Sequence, residues 1–172
     1  MRKTKQIISL GAIALLIIFS TSCASLKKAE DVAIPQPELE AMPTGTQGTY
    51  LVKVWSYSKD PMIDVSEVKR NALNGILFEG FKGKPGIPGQ VAIVQDPNVR
   101  IDKADFFKAF FADGGDFHKY VEPVNKGAIA AEDRMRVGKI YKIGMVCSVK
   151  SAELRKHLEE SGVLRSLDAG FK

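Results

Sequence analysis

Two stretches of this chain alternate with a period of two, and between and after them the period lengthens to that of a helix. That change of period leaves few folds open. In TYLVKVWSYS (49–58), Tyr50, Val52 and Val54 alternate with Leu51, Lys53 and Trp55, and in YKIGMVCSV (141–149) Tyr141, Ile143, Met145, Cys147 and Val149 fall on one side of a strand. Asp64 followed by Glu67 makes a capping-box pattern. Val65, Val68, Ala72, Leu73, Ile76 and Leu77 then recur at helical spacing opposite Glu67, Lys69, Arg70, Asn71 and Asn74. This predicts a first helix over 65–79, closed by Gly80. A second helix is expected from Asp102 to Gly114, carrying Phe106, Phe107, Phe110 and Phe111. A third is expected after a Ser151 cap, with Leu154 and Leu158 on one face and the ion pairs Arg155/Glu159 and Lys156/Glu160, ending at Gly162.

The run QVAIVQ (90–95) reads as a short strand, GDFHKYVEPV (115–124) as a short strand or helical turn, and GAIAAEDRMRVG (127–138) as a loop. The tail is expected to dock through Val163, Leu164 and Leu167. The order strand, helix, strand, helix, strand, helix predicts an α+β (or α/β) fold, with a three- or four-stranded sheet covered by about three helices. Residues 49–172 are the commonest size for one domain with its own core.

The chain opens with Arg2, Lys3 and Lys5 before an apolar run at 7–19 that ends in small residues and Cys23, the pattern of an export signal over 1–22. The run is shorter than the roughly 20 residues a spanning helix needs. Residues 23–48 are polar and rich in proline, and read as a flexible tether with a typical reach of roughly 25–30 Å. The formal charge of +5 misleads about partners. Loss of Arg2, Lys3 and Lys5 brings the 25 Lys and Arg down to 22, against 20 Asp and Glu. No basic footprint for nucleic acid is left. Arg134, Arg136, Lys139 and Lys142 are spread along the approach to a strand, where cations more often protect a sheet edge.

Candidate chemistry is sparse. GFKGKPGIPG places Gly80, Gly83, Gly86 and Gly89 at every third position, but a collagen helix needs many triplets and three chains, and a phosphate loop needs a lysine followed by Ser or Thr ahead of a helix. Lys84 is followed by Pro85, so the stretch reads as a tightly turned or mobile connection that offers Gly83, Lys84, Pro85 and Gly86 to a partner. The phenylalanine stripe is read as core, with any exposed part of Phe106 and Phe110 as a second contact. For calcium, counting from Asp96 puts Ile101 at the glycine position and Phe107 at the closing glutamate position. His118 and His157 have no partner at metal spacing, so no metal and no cofactor are expected. Two cysteines do not make a disulfide framework, and Cys147 reads as a buried thiol.

The stretch FSTSC resembles a bacterial lipobox, with Ser20 in place of the usual leucine, which implies acylation of Cys23 and anchoring in a membrane. In lipoproteins an aspartate after the cysteine commonly retains the protein at the inner membrane. Ala24 stands there instead, implying the outer membrane. GTYLVKVWSYS, EVKRNALNGILFEGF, ADFFKAFFADGG and VGKIYKIGMVCSVKSAELRKHLEESGV together resemble a family of small Gram-negative envelope lipoproteins with no assigned reaction. The order of elements is more distantly similar to the α/β modules of the TolB amino-terminal domain and flagellar assembly protein T. The resemblance implies a non-enzymatic lipoprotein whose domain binds another envelope protein. Two other classes stay open. One is an envelope hydrolase acting on glycan or peptide through Asp113, Asp116 and His118. The other is a small-ligand or glycan binder stacking on Trp55, Tyr57 and Tyr120.

Overall fold

The alternation in the two long strands is answered by their pairing. Strand β2 (Tyr50–Ser58) runs antiparallel to β5 (Ile140–Val149) with Val52 opposite Cys147, Val54 opposite Met145 and Ser56 opposite Ile143. One face of the pair is therefore continuously apolar. The computed structural model describes residues 33–43 and 46–165, all of them in the compact unit Val32–Lys172. The expected signal segment, Cys23, residues 24–32 and 44–45 of the tether, and Leu167 lie outside the described residues.

The fold is α+β. Five antiparallel strands form the sheet: β1 (Glu38–Ala41) lies outside β2, while β3 (Val121–Pro123) and β4 (Arg134–Val137) share the far edge of β5, opposite Val149–Cys147 and Ile143–Ile140 respectively. Against the apolar face pack α1 (Val65–Phe78), α3 (Ala104–Phe110) and α4 (Ser151–Glu160). Val68, Leu73, Ile76, Leu77, Phe107, Phe110, Leu154 and Leu158 meet Val52, Val54, Met145, Cys147 and Val149 in one core, with Val99 of α2 (Pro97–Asp102) against it. Each fully buried Leu, Ile or Phe contributes about 1.5–3 kcal/mol relative to an exposed one.

Local chemistry explains each element. Asp64 caps α1 by accepting from the Ser66 N–H at 3.2 Å, and Gly80, at φ 73°, turns the chain away while its N–H donates to the Gly75 carbonyl. Gly75 has a packing reason inside α1, because a Cβ there would stand 2.6 Å from Leu39 of β1. The buried hydroxyl of Ser56 accepts from Asn71 at 3.1 Å, which satisfies the polar atom left on the apolar face. In α4 the Arg155–Glu159 and Lys156–Glu160 pairs form at 3.1 and 3.7 Å.

Several expectations are corrected. Glu38–Ala41 is a strand and not tether, since Ala41 is buried and Leu39 packs on the core. Residues 90–95 are not a strand: the Ile93 and Val94 amides donate to the Ile76 and Leu77 carbonyls, groups that the end of α1 leaves without helical partners. The helix expected from Asp102 to Gly114 is shorter, Ala104–Phe110, has no Asp102 cap, and is preceded by a separate helix, Pro97–Asp102. Asp96 caps that preceding helix by accepting from the Asn98 N–H at 2.9 Å, Pro97 presets its first turn, and the chain breaks at Lys103 before α3. Ser151 does not cap α4, because its hydroxyl donates to the Gly48 carbonyl at 2.9 Å. The 127–138 loop contains β4. Residues 115–124 hold a 3-10 turn, Asp116–Lys119, followed by β3.

Candidate functional site

The glycine repeat folds as a miniature hairpin. Phe81 and Gln90 exchange both backbone hydrogen bonds, at 2.8 and 2.9 Å, and so do Lys84 and Ile87, leaving Pro85 and Gly86 as the tip. Gly86 has φ 79°, the value a turn with proline before it requires at that position. Gly83 and Gly89 are needed for a different reason. The two arms touch backbone to backbone, so a Cβ on either would stand 2.5 Å from main-chain atoms of the other arm. The spacing of three is thus the sum of a helix stop, a turn and one close crossing.

This hairpin lies along the outer edge of β1, with Lys82 in a parallel bridge to Glu40. Lys84 forms an ion pair with the same Glu40. It separates two shallow grooves. One, of about 350 Å³, includes Ala41, Met42, Tyr50, Phe81, Ile87 and Pro88. The other, of about 370 Å³, includes Glu38, Glu40, Trp55, Gly83, Lys84 and Lys142.

The second groove opens onto the sheet face opposite the helical core. Strand parity places Lys53, Trp55 and Tyr57 of β2 there, with Glu38 and Glu40 of β1 and Lys142 and Gly144 of β5. Trp55 rests on Gly144, where a Cβ would come within 2.7 Å of the indole ring. Its Nε1–H donates to Glu40 at 2.8 Å. The ammonium groups of Lys53 and Lys142 stand 5.3 and 5.1 Å from the ring centre. Lys53 is held by Asp133 at 2.7 Å, and Lys142 by Glu38 at 2.9 Å, with Tyr57 also donating to Glu38 at 2.9 Å.

Electrostatically the face is closed on itself. Hydrogen bonds from Lys142 and then Tyr57 hold the Glu38 carboxyl below its ordinary value, and those from Lys84 and then Trp55 do the same for Glu40. Burial pulls the Lys142 ammonium down, but its bonds to Glu38 and Tyr57 outweigh that and leave it raised. Carboxylates held ionised in this way are poor proton donors near neutral pH, where a general acid needs a raised value.

The residues proposed for acid-base chemistry are committed elsewhere. Asp113 pairs with Arg70 at 3.0 Å, Asp116 pairs with Lys119 at 2.7 Å, and His118 faces the Ser66 hydroxyl at 3.5 Å with its ring tilted against Phe117. The proposed stacking trio divides as well. Trp55 and Tyr57 share the open face, whereas Tyr120 lies against Phe110 and His157. Phe110 is 3% exposed and is core, so of the two phenylalanines offered as contacts Phe106 alone retains some surface. Cys147 is buried, and burial pushes its thiol up to about 11. Among the described residues no cluster of His, Cys, Asp or Glu is arranged to hold a metal ion, and no helix is long and apolar enough to cross a membrane.

Glu38, Glu40, Lys53 and Asp133 were not offered as site residues by sequence reasoning, and Lys142, expected to protect a sheet edge, lies instead on β5 between β2 and β4. The signal for one of them was present, since Lys53 precedes Trp55 and Tyr57 at alternate positions of one strand. In comparisons with known proteins, no family model, no curated protein and no solved structure matches this chain.

Proposed function

We propose that this chain is a non-enzymatic lipoprotein of the Gram-negative envelope, anchored to the outer membrane through acylated Cys23, whose domain binds another envelope protein. The contact surface is the open sheet face around Trp55 and Tyr57 together with the hairpin tip at Lys84, Pro85 and Gly86. One observation carries this reading: the glycine-locked hairpin is fastened through Lys84 and Glu40 to the same network that fixes Trp55. A preorganised surface of aromatic, aliphatic and internally neutralised charged groups suits a protein partner, because little ordering entropy remains to be lost on binding. It suits an enzyme poorly, since its carboxylates are held ionised by lysines. The two flanking ammonium groups also occupy the indole surroundings that a stacked sugar would use.

The test is site-specific photo-crosslinking in intact cells from Tyr57 and from Pro85, with Lys156, exposed on α4, as the reference position. Capture of the same envelope protein from the first two positions and not from the third is the expected result. Equal, scattered capture from all three would defeat the reading. The anchor is tested separately: Cys23→Ala is expected to abolish lipid labelling and release the protein from the membrane fraction.

A further inference from the structure

We propose that β4 is a docking edge for an extended acidic segment of a partner protein, which adds to the sheet as a further strand. The two outer edges of the sheet are treated differently. The β1 edge is covered by the hairpin through the Glu40–Lys82 bridge. β4 pairs with β5 on one side and with nothing on the other among the described residues, and all four of its residues are exposed. Arg134 and Arg136 guard this short edge against other cationic strands, yet apolar side chains alternate with them. Here Met135 is 41% and Val137 51% exposed.

The direction of the free hydrogen-bonding groups follows from the turn. Val137 and Ile140 are partners across the two-residue connection Gly138–Lys139, so they form the hydrogen-bonded pair that closes the hairpin. Alternation then turns the N–H and C=O of Arg134 and Arg136 outward. Residues of an added strand that bond to these groups sit directly opposite the two arginines, with side chains on the same face. Neither guanidinium meets a carboxylate among the described residues; Arg136 donates to the Gly138 carbonyl at 3.2 Å. Of the lysines on the neighbouring face, Lys53 pairs with Asp133, Lys84 with Glu40 and Lys142 with Glu38.

Charge therefore selects the occupant. A second copy of the chain adding β4 to β4 antiparallel with proper hydrogen bonding would set arginine opposite arginine, a destabilising arrangement. A segment with acids at alternate positions places a carboxylate opposite each arginine, and its intervening apolar residues lie on the face of Met135 and Val137.

The experiment is an amide NMR titration of the purified full chain with a short synthetic peptide alternating glutamate and valine, against a control alternating lysine and valine. The expected result is that the Arg134 and Arg136 amides shift and gain exchange protection with the acidic peptide alone. Arg134→Gln is expected to weaken binding about two- to fivefold, the effect of one cross-strand charge pair. Arg136→Pro removes one outward N–H while leaving the bonds of Met135 and Val137 to β5, a substitution an edge tolerates. It is expected to weaken binding more than Arg136→Gln does, with unchanged resonances in β2 reporting an intact fold. Absence of binding, protection elsewhere in the chain, equal binding of the lysine peptide, or equal effects of Arg136→Pro and Arg136→Gln would each overturn the proposal.

Discussion

Trp55 covers Gly144 on the adjacent strand so closely that a methyl group there would stand 2.7–3.0 Å from three ring carbons. Gly144→Ala is therefore expected to lift the indole, break its bond to Glu40 and cost about 1–3 kcal/mol as an overpacked site. Trp55 is the one tryptophan of the chain, so its emission reports the site directly. A red shift with a lowered urea midpoint is the expected outcome. An unchanged spectrum would show that the ring is not seated on Gly144.

Acid is expected to loosen β1 before the core. Glu38 and Glu40 have folded-state values below their ordinary ones, so they contribute stability that is fully present above the unfolded value of about 4.3 and is lost as pH falls through the depressed folded values. Trp55 emission and the exchange of the 38–41 amides should hold steady from pH 7 to about pH 5 and change below about pH 4.3. Glu40→Gln should show the emission change at neutral pH. A transition centred near pH 6 would point to a histidine and contradict this assignment.

The three glycines of the hairpin, Gly83, Gly86 and Gly89, should not respond alike to alanine. Gly86→Ala meets no atom within 4 Å and suffers only from its positive φ, a cost of about 1–2 kcal/mol. Gly83→Ala and Gly89→Ala drive a Cβ into main-chain atoms at 2.5 Å and should separate the arms. Limited proteolysis within 84–87 is the measurement, with cleavage expected to be faster in the latter two variants than in Gly86→Ala.

Cys147 is expected to be inert in the native protein. Burial both shields the thiol and pushes it up to about 11, so little thiolate exists at pH 8. A thiol reagent should modify it at a rate that follows global unfolding. Rapid modification without denaturant would mean that the β2–β5 core opens locally.

The extent of sequence legibility differs between elements for physical reasons. β2, β5, α1 and α4 announce themselves because each buries one face of a long regular element, which imposes its period on ten or more consecutive residues or nearly so. β1 is hidden. Glu38–Ala41 is short, follows two prolines and has weak strand propensity, and it is held by pairing with β2 and by Leu39 seated on Gly75. The run at 90–95 is apolar enough for a strand, yet its amides are used to close the carbonyl end of α1, a competition invisible along the chain.

The candidate site shows the same division. Alternation alone put Trp55, Tyr57 and Lys53 on one side of a strand, and proline and glycine marked 80–89 as a turn. The sequence by itself determined the α+β class, the two long strands and the position of the glycine-rich turn, because these depend on periods and on φ preferences that act between near neighbours. Only the tertiary structure decided that Glu38, Lys142 and Asp133 close around Trp55, that Asp113, Asp116 and His118 take three different partners, and that β4 stands at a sheet edge unpaired among the described residues. Those relations join residues as far as 104 positions apart. They follow from strand register and helix docking, which no local pattern encodes.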